Sequence, residues 1–135
     1  MLRSVLAKPL FIKQRPLSPV SIYQPQLTST MSIFNRITGV GATAFLYGSI
    51  LMGSWANTKG IPVTQYFQDM AINTPALIYY PVKIGLASAF AYHSLNGVRH
   101  LIWDFGGMMT LDGVYKSGYI TLGATALTTV LLLLQ

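Results

Sequence analysis

The stretch "IGLASAFAYHSLNGVRHLIWD", Ile84 to Asp104, decides the fold. It opens as an uncharged apolar run and then gathers both histidines of the chain, His93 and His100, with Asn96, Arg99 and Asp104. Such crowding stands out because charged residues make up 9% of the 135 residues while hydrophobic residues make up 52%. The mean hydropathy is +0.49. A soluble domain carries roughly 25% charged residues. A chain this poor in charge cannot cover its own surface with polar groups, so a membrane protein is the first reading, and apolar runs long enough to span as helices make the expected fold an all-α membrane protein.

Working outward, two more apolar stretches flank this one. Ile37 to Thr58 is uncharged over 22 residues, and about 20 cross a hydrocarbon core. "SGYITLGATALTTVLLLL", Ser117 to Leu134, is the other. The expectation is three transmembrane helices over about 32–58, 77–103 and 117–134, forming part of a heteromeric helix bundle. Residues 1–30 then form a basic arm and pre-helix segment, and residues 31–135 the anchor. Pro62, Pro75 and Pro81 punctuate the first connection, and Gly106, Gly107 and Gly113 the second. Lys83 and Arg99, near the ends of the middle span, are expected to snorkel.

The net charge is +6 and cysteine is absent. No basic stripe with interleaved aromatics suggests nucleic acid, and disulfide or thiolate sites are excluded. Topology accounts for the charge. Arg3, Lys8, Lys13, Arg15, Arg36, Arg99 and Lys116 fall on one side, against Lys59 and Lys83 with Asp69 on the other. The excess marks the inner side, so the N-terminus is expected inside, in cytoplasm or mitochondrial matrix. The acid-free "MLRSVLAKPLFIKQR" is either a remnant of a targeting segment or a basic arm that touches lipid or a partner.

On a helix Ser32, Asn35, Arg36 and Gly39 share one face, as do His93, Asn96, Gly97 and His100. The antiparallel run of the first two spans brings Ser32, Arg36, His100 and Asp104 to the inner end. Each has an ordinary alternative: interfacial anchors for Arg36, Arg99, His100 and Asp104, a helix cap for Ser32, close packing for Asn96 and Gly97. His93 lies deep in the span, where an ionisable group is a functional hypothesis by default. A proton relay lacks further groups toward the outer side. Zinc wants three or four ligands, more than two histidines supply. Haem iron needs one or two. His93 and His100, on one side of one helix about 10.5 Å apart, cannot both ligate one iron, so a second histidine would come from another chain. Gly97 would leave room for the macrocycle, and His100 and Arg36 would meet its propionates.

Three segments carry a family resemblance: "RPLSPVSIYQPQL" (Arg15–Leu27), "SIFNRITG" (Ser32–Gly39) and "YHSLNGVRHLIWD" (Tyr92–Asp104). With the three-span layout they resemble the large cytochrome b membrane-anchor subunit of succinate dehydrogenase, mitochondrial complex II. The resemblance implies a haem b shared with a small membrane-anchor subunit, His93 being this chain's axial ligand. It implies docking of the flavoprotein and iron–sulfur subunits on the matrix side of the mitochondrial inner membrane, and electron transfer from succinate to ubiquinone. Ser32, Ile33, Arg36 and Asp104 match quinone-site positions, and Arg36, Asn35, Gly97 and His100 lie where propionates or the surroundings of the haem would be. No complete active site lies on this chain alone.

Two positions depart from the family pattern. Asn35 stands where a histidine usually precedes the arginine, and "SPVSIY" lacks the histidine of the usual "SPH". Asn35 donates hydrogen bonds but brings no positive charge to a propionate. Two other readings accompany the first: a quinol:fumarate reductase anchor working in reverse, and a haem-free structural membrane adaptor whose polar cluster serves helix packing.

Overall fold

The computed structural model describes residues 22–134 and is helical throughout its regular elements. The basic arm and most of the pre-helix segment lie outside the described residues. Four helices follow in order: α1 (Leu27–Thr58), α2 (Val63–Asn73), α3 (Ala76–Asp104) and α4 (Leu111–Leu133). The helix begun by the first span thus starts at Leu27, inside the stretch assigned above to the arm, and α4 starts six residues before Ser117.

The breaks between helices have local chemical causes. At the end of α1, Gly60 takes a φ of +76°, and its N–H bonds to Asn57 O at 3.0 Å while Ile61 N–H bonds to Ala56 O at 3.1 Å. At the end of α3, Gly106 has φ +78°, with Gly106 N–H on Trp103 O at 2.8 Å and Gly107 N–H on Ile102 O at 2.9 Å. Both are Schellman endings, where glycine alone enters the left-handed region without a Cβ penalty. Pro62 and Pro75 stand at the N-caps of α2 and α3, where a missing N–H costs nothing. Thr110 caps α4, its hydroxyl accepting from Gly113 N–H at 3.2 Å. Pro81 does not belong to the connection, as expected above, but lies inside α3. The structure also reveals α2, an 11-residue helix in what the sequence reading left as a connection. It packs Val63 and Phe67 against Gly53 of α1.

Burial is inverted relative to a soluble domain. Met31, Ala56, Ala91 and Tyr92 are the buried apolar residues, and Asn96, Arg99, Ser117 and Thr121 are buried polar ones. Large apolar side chains along α1 and α4, among them Phe45, Leu51, Trp55, Ile120 and Leu131, face outward. Water would penalise that surface; lipid or partner helices would not, while polar groups must find partners inside. By length and apolarity α1 and α4 qualify as membrane spans, and they are the two among the described residues that do. The middle span expected from sequence is a continuous 29-residue helix, α3, but Lys83, His93, Asn96, Arg99, His100 and Asp104 lower its apolarity.

Contacts between α1 and α3 pair Met31 with Arg99 and Gly39 with His93. Numbers rise along one helix as they fall along the other, so the two are antiparallel. The start of α1 lies beside the end of α3, as the topology argument requires.

Candidate functional site

The site is built where these two ends meet. Met31, Asn35 and Gly39 recur every fourth residue and so form one stripe of α1. Consecutive residues of α3 grip this stripe at carbonyls one turn apart. Tyr92 Oη donates to Met31 O at 2.7 Å, and His93 Nδ1 lies 3.0 Å from Asn35 O. Above that bond the His93 ring lies against Gly39: a Cβ there would stand 2.6 Å from Cε1 and 3.1 Å from Nδ1. Gly39 is therefore required by the imidazole. That role was hidden in the sequence, which places Gly39 on the polar face without showing which ring it meets.

A carbonyl oxygen can only accept, so Nδ1 of a neutral His93 carries the proton and Nε2 keeps its lone pair. This is the arrangement in which a metal-ligating histidine has its second nitrogen held by a carbonyl. Gly97, one turn along α3, has no atom of another described residue within 4 Å of where its Cβ would be, its own helix backbone aside, so a flat ligand would find open space there. His100 is half-buried, its ring 5.1 Å from that of Trp103. His100 Nδ1, Trp103 Nε1 and Asn35 Oδ1 are buried polar atoms with no hydrogen-bond partner among the described residues. Such groups are costly to leave unpaired and suit a polar ligand group. On these three counts the residues fit a haem iron with its propionates. Asn35 serves His93 through its backbone carbonyl, a contact that does not depend on the side chain found there.

The positions matched to the quinone site occupy the neighbouring stripe of α1. Ser32 is half-buried, and Ile33 and Arg36 are exposed on the outside of this chain. Thr38 and Ser49 of the same helix return their hydroxyls to carbonyls one turn back. Ser32 Oγ makes no such bond among the described residues, and neither does the Arg36 guanidinium. Asp104 is exposed and does not pair with Arg36; the ion pair of the described residues is Lys116–Asp112 at 2.7 Å, on the surface of α4. The structure thus brings together His93, Asn35 and Gly39, and leaves Ile33, Arg36 and Asp104 on faces that other chains or lipid must complete. The largest groove among the described residues, about 670 Å³, is apolar and runs between α1 and α3 just beyond Gly39 and His93, along Ile37, Thr38, Gly41, Phe45, Leu86 and Phe90; another apolar one of about 490 Å³, between α1, α2 and α3, lies toward the other end.

Arg99 corrects the sequence reading. Expected to snorkel, it is 3% exposed and is bound inside: Nε donates to Ser117 Oγ at 3.0 Å, Nη2 to Val114 O at 2.9 Å and Nη1 to Asn96 Oδ1 at 3.3 Å. Its guanidinium lies 4.1 Å from the centre of the Trp103 ring. The inner-side charge excess then rests on Arg3, Lys8, Lys13, Arg15, Arg36 and Lys116, of which the first four lie outside the described residues.

Fold and site together define a helical membrane protein with an imidazole held by a backbone carbonyl at the seam of two helices. The chain belongs to the succinate dehydrogenase/fumarate reductase transmembrane subunit family, whose model matches residues 12–132. It is 43% identical over 116 residues to a succinate dehydrogenase cytochrome b560 subunit of Marchantia polymorpha, which covers 83% of each chain. It is 36% identical over 116 residues to the mitochondrial succinate dehydrogenase cytochrome B subunit of Schizosaccharomyces pombe, covering 84% of this chain. A third relative, the mitochondrial inner membrane protein SHH3 of Saccharomyces cerevisiae, is 34% identical over 128 residues and 91% of this chain. The aligned part amounts to 64% of the length of each of these two fungal relatives.

Proposed function

We propose that this chain is the cytochrome b membrane anchor of a succinate:ubiquinone oxidoreductase of the mitochondrial inner membrane. In this reading α1, α3 and α4 are its three spans and the N-terminus is in the matrix. It holds half of a haem b site and part of the ubiquinone-reduction site, completed by a small anchor subunit and by the iron–sulfur subunit docked with the flavoprotein. The observation that carries the reading is the His93 Nδ1 bond to Asn35 O, which leaves Nε2 available for iron. His93 would hold the haem, with His100, Asn35, Gly97 and Arg36 around it; when bound, the haem supplies a one-electron redox centre.

The residues of this chain would act on ubiquinone through binding and charge. Ser32 Oγ and the Arg36 guanidinium donate to a quinone carbonyl, and the fixed cation stabilises negative charge as that oxygen is reduced. Ile33 offers an apolar wall. Asp104 would deliver a proton to the reduced oxygen or balance the charge of Arg36. Succinate oxidation belongs to the other subunits. The family name covers fumarate reductase as well, and a quinol:fumarate reductase anchor, with the same residues working in reverse, is the second reading.

The test is Arg36→Ala in the assembled complex. Ubiquinone reduction should fall at least tenfold, the scale of a lost charged hydrogen bond of about 1.5–3 kcal/mol, while succinate-to-dye electron transfer persists. Equal loss of both activities, or loss of neither, refutes the quinone role.

A further inference from the structure

Arg99 is a buried cation with no ion pair to any described carboxylate. Burying a charge in this way is costly unless its donors are satisfied, and here they bond three helices together. Beyond Ser117, Val114 and Asn96, Nη1 also lies 3.7 Å from Met31 Sδ on α1. Met31 is itself 3% exposed and receives the Tyr92 hydroxyl on its carbonyl at 2.7 Å. Gly118 of α4 makes the seat: a Cβ there would come within 3.4 Å of Met31 Sδ and of Arg99 Nη2, and 3.0 Å of Leu27 Cδ2. The first turn of α1 is thus gripped from α3 and α4 at once.

That grip falls on a helix end that has no side-chain cap among the described residues. Gln26 at the N-cap gives no side-chain hydrogen bond, and no acidic residue stands in the first turn. An uncapped terminus leaves orphan N–H groups and frays. Ser32 directly follows Met31, and Arg36 is one turn beyond Ser32. Where those two side chains sit depends on whether the preceding turn is held.

We infer that Tyr92 and Arg99 are positioning residues for ubiquinone, clamping Met31 so that the uncapped start of α1 presents Ser32 and Arg36 in fixed register. The inference rests on the quinone reading of Ser32 and Arg36, and it assigns Tyr92 and Arg99 a task beyond packing. The clamp gives up no group of its own to the ligand. It acts on affinity and orientation.

Tyr92→Phe removes one hydroxyl and keeps the buried ring, so it is the first variant to make. In the assembled complex the KM for a short-chain ubiquinone should rise roughly 2- to 10-fold, the factor that corresponds to one neutral hydrogen bond. Succinate-to-dye transfer and the reduced haem spectrum should be unchanged. Arg99→Lys, which keeps the charge but not the fork, should act in the same direction. Ser32→Ala combined with Tyr92→Phe should cost less than the two separate effects multiplied, because one acts through the other. An unchanged KM in Tyr92→Phe, or a fall in dye transfer, haem content and Tm that accompanies the rise in KM, overturns the clamp. Arg36→Ala, run in parallel, separates the two levels: if it too leaves quinone kinetics untouched, the quinone reading fails and the clamp with it. If Arg36→Ala acts and Tyr92→Phe does not, only the clamp fails.

Discussion

Gly39→Ala tests the His93 assignment from behind. The added Cβ would stand 2.6 Å from His93 Cε1, whereas carbon atoms pack at about 3.5–4.0 Å. The ring must therefore retreat by about 1 Å or the two helices must part. Either movement stretches the 3.0 Å contact between Nδ1 and Asn35 O past the useful range of a hydrogen bond. Overpacking of this kind costs about 1–3 kcal/mol, while alanine in place of a mid-helix glycine returns about 0.5–1 kcal/mol. Net stability should then fall by anything from about 0 to about 2.5 kcal/mol, a span too wide for the melting temperature to be the deciding readout. Haem binding is the better one, since loss of a partner that orients a metal-ligating histidine weakens metal binding about 10- to 100-fold. The assay is haem content and the dithionite-reduced spectrum of the purified complex. Gly41→Ala is the control, because a Cβ there meets nothing within 4 Å. If Gly39→Ala and Gly41→Ala hold equal haem with the same spectrum, the reasoning from the Gly39 contact is refuted.

Further outcomes follow from the same geometry. His93→Leu should abolish or shift the reduced haem band, and an unaltered band removes His93 as ligand. Gly97→Ala meets no atom within 4 Å among the described residues, so its melting temperature without haem should match or exceed the parent's while haem content drops; equal haem content would show that nothing lies against Gly97. Lys116→Ala breaks a pair whose side chains are 72% and 74% exposed and should leave stability unchanged within error, as exposed pairs do; a clear fall in Tm would mean the pair belongs to a larger network. Protease added to intact inner-membrane vesicles of matrix-inside orientation should spare the N-terminal arm, and cleavage from the outer side reverses the topology drawn from charge.

How far the sequence could be read differs from residue to residue. The extent of α3 was legible because its apolar flank and its polar positions at helical spacing agree on one element. The antiparallel meeting of α1 and α3 followed from two consecutive spans, which cross a membrane in opposite directions. α2 was missed although a signal was present: Pro62 stands at its cap, and Val63, Tyr66, Phe67 and Met70 recur at helical spacing. Its short length and its place between two prolines suggested a loop. Arg99 was misread for a different reason. A charge near the end of a span can reach water along the helix or turn inward, and the choice depends on which azimuth faces α4. Packing set that azimuth, through Ser117 and Gly118, and no local pattern in α3 encodes it.

The placement of Arg99 also bears on how this anchor tolerates the departures in its sequence. A histidine before Arg36 would add a titratable group to this stripe of α1; this chain has Asn35, whose contribution to His93 is a backbone carbonyl that any residue would supply. The imidazole is thus oriented independently of what side chain occupies position 35. Besides Arg36, this part of the bundle holds a second fixed positive charge, Arg99, held by neutral acceptors and an aromatic face with no described carboxylate to cancel it. In a medium of low dielectric an uncancelled charge acts over a longer range than in water. A subunit that keeps this buried cation keeps a positive field at the seam of α1 and α3, whatever stands at position 35.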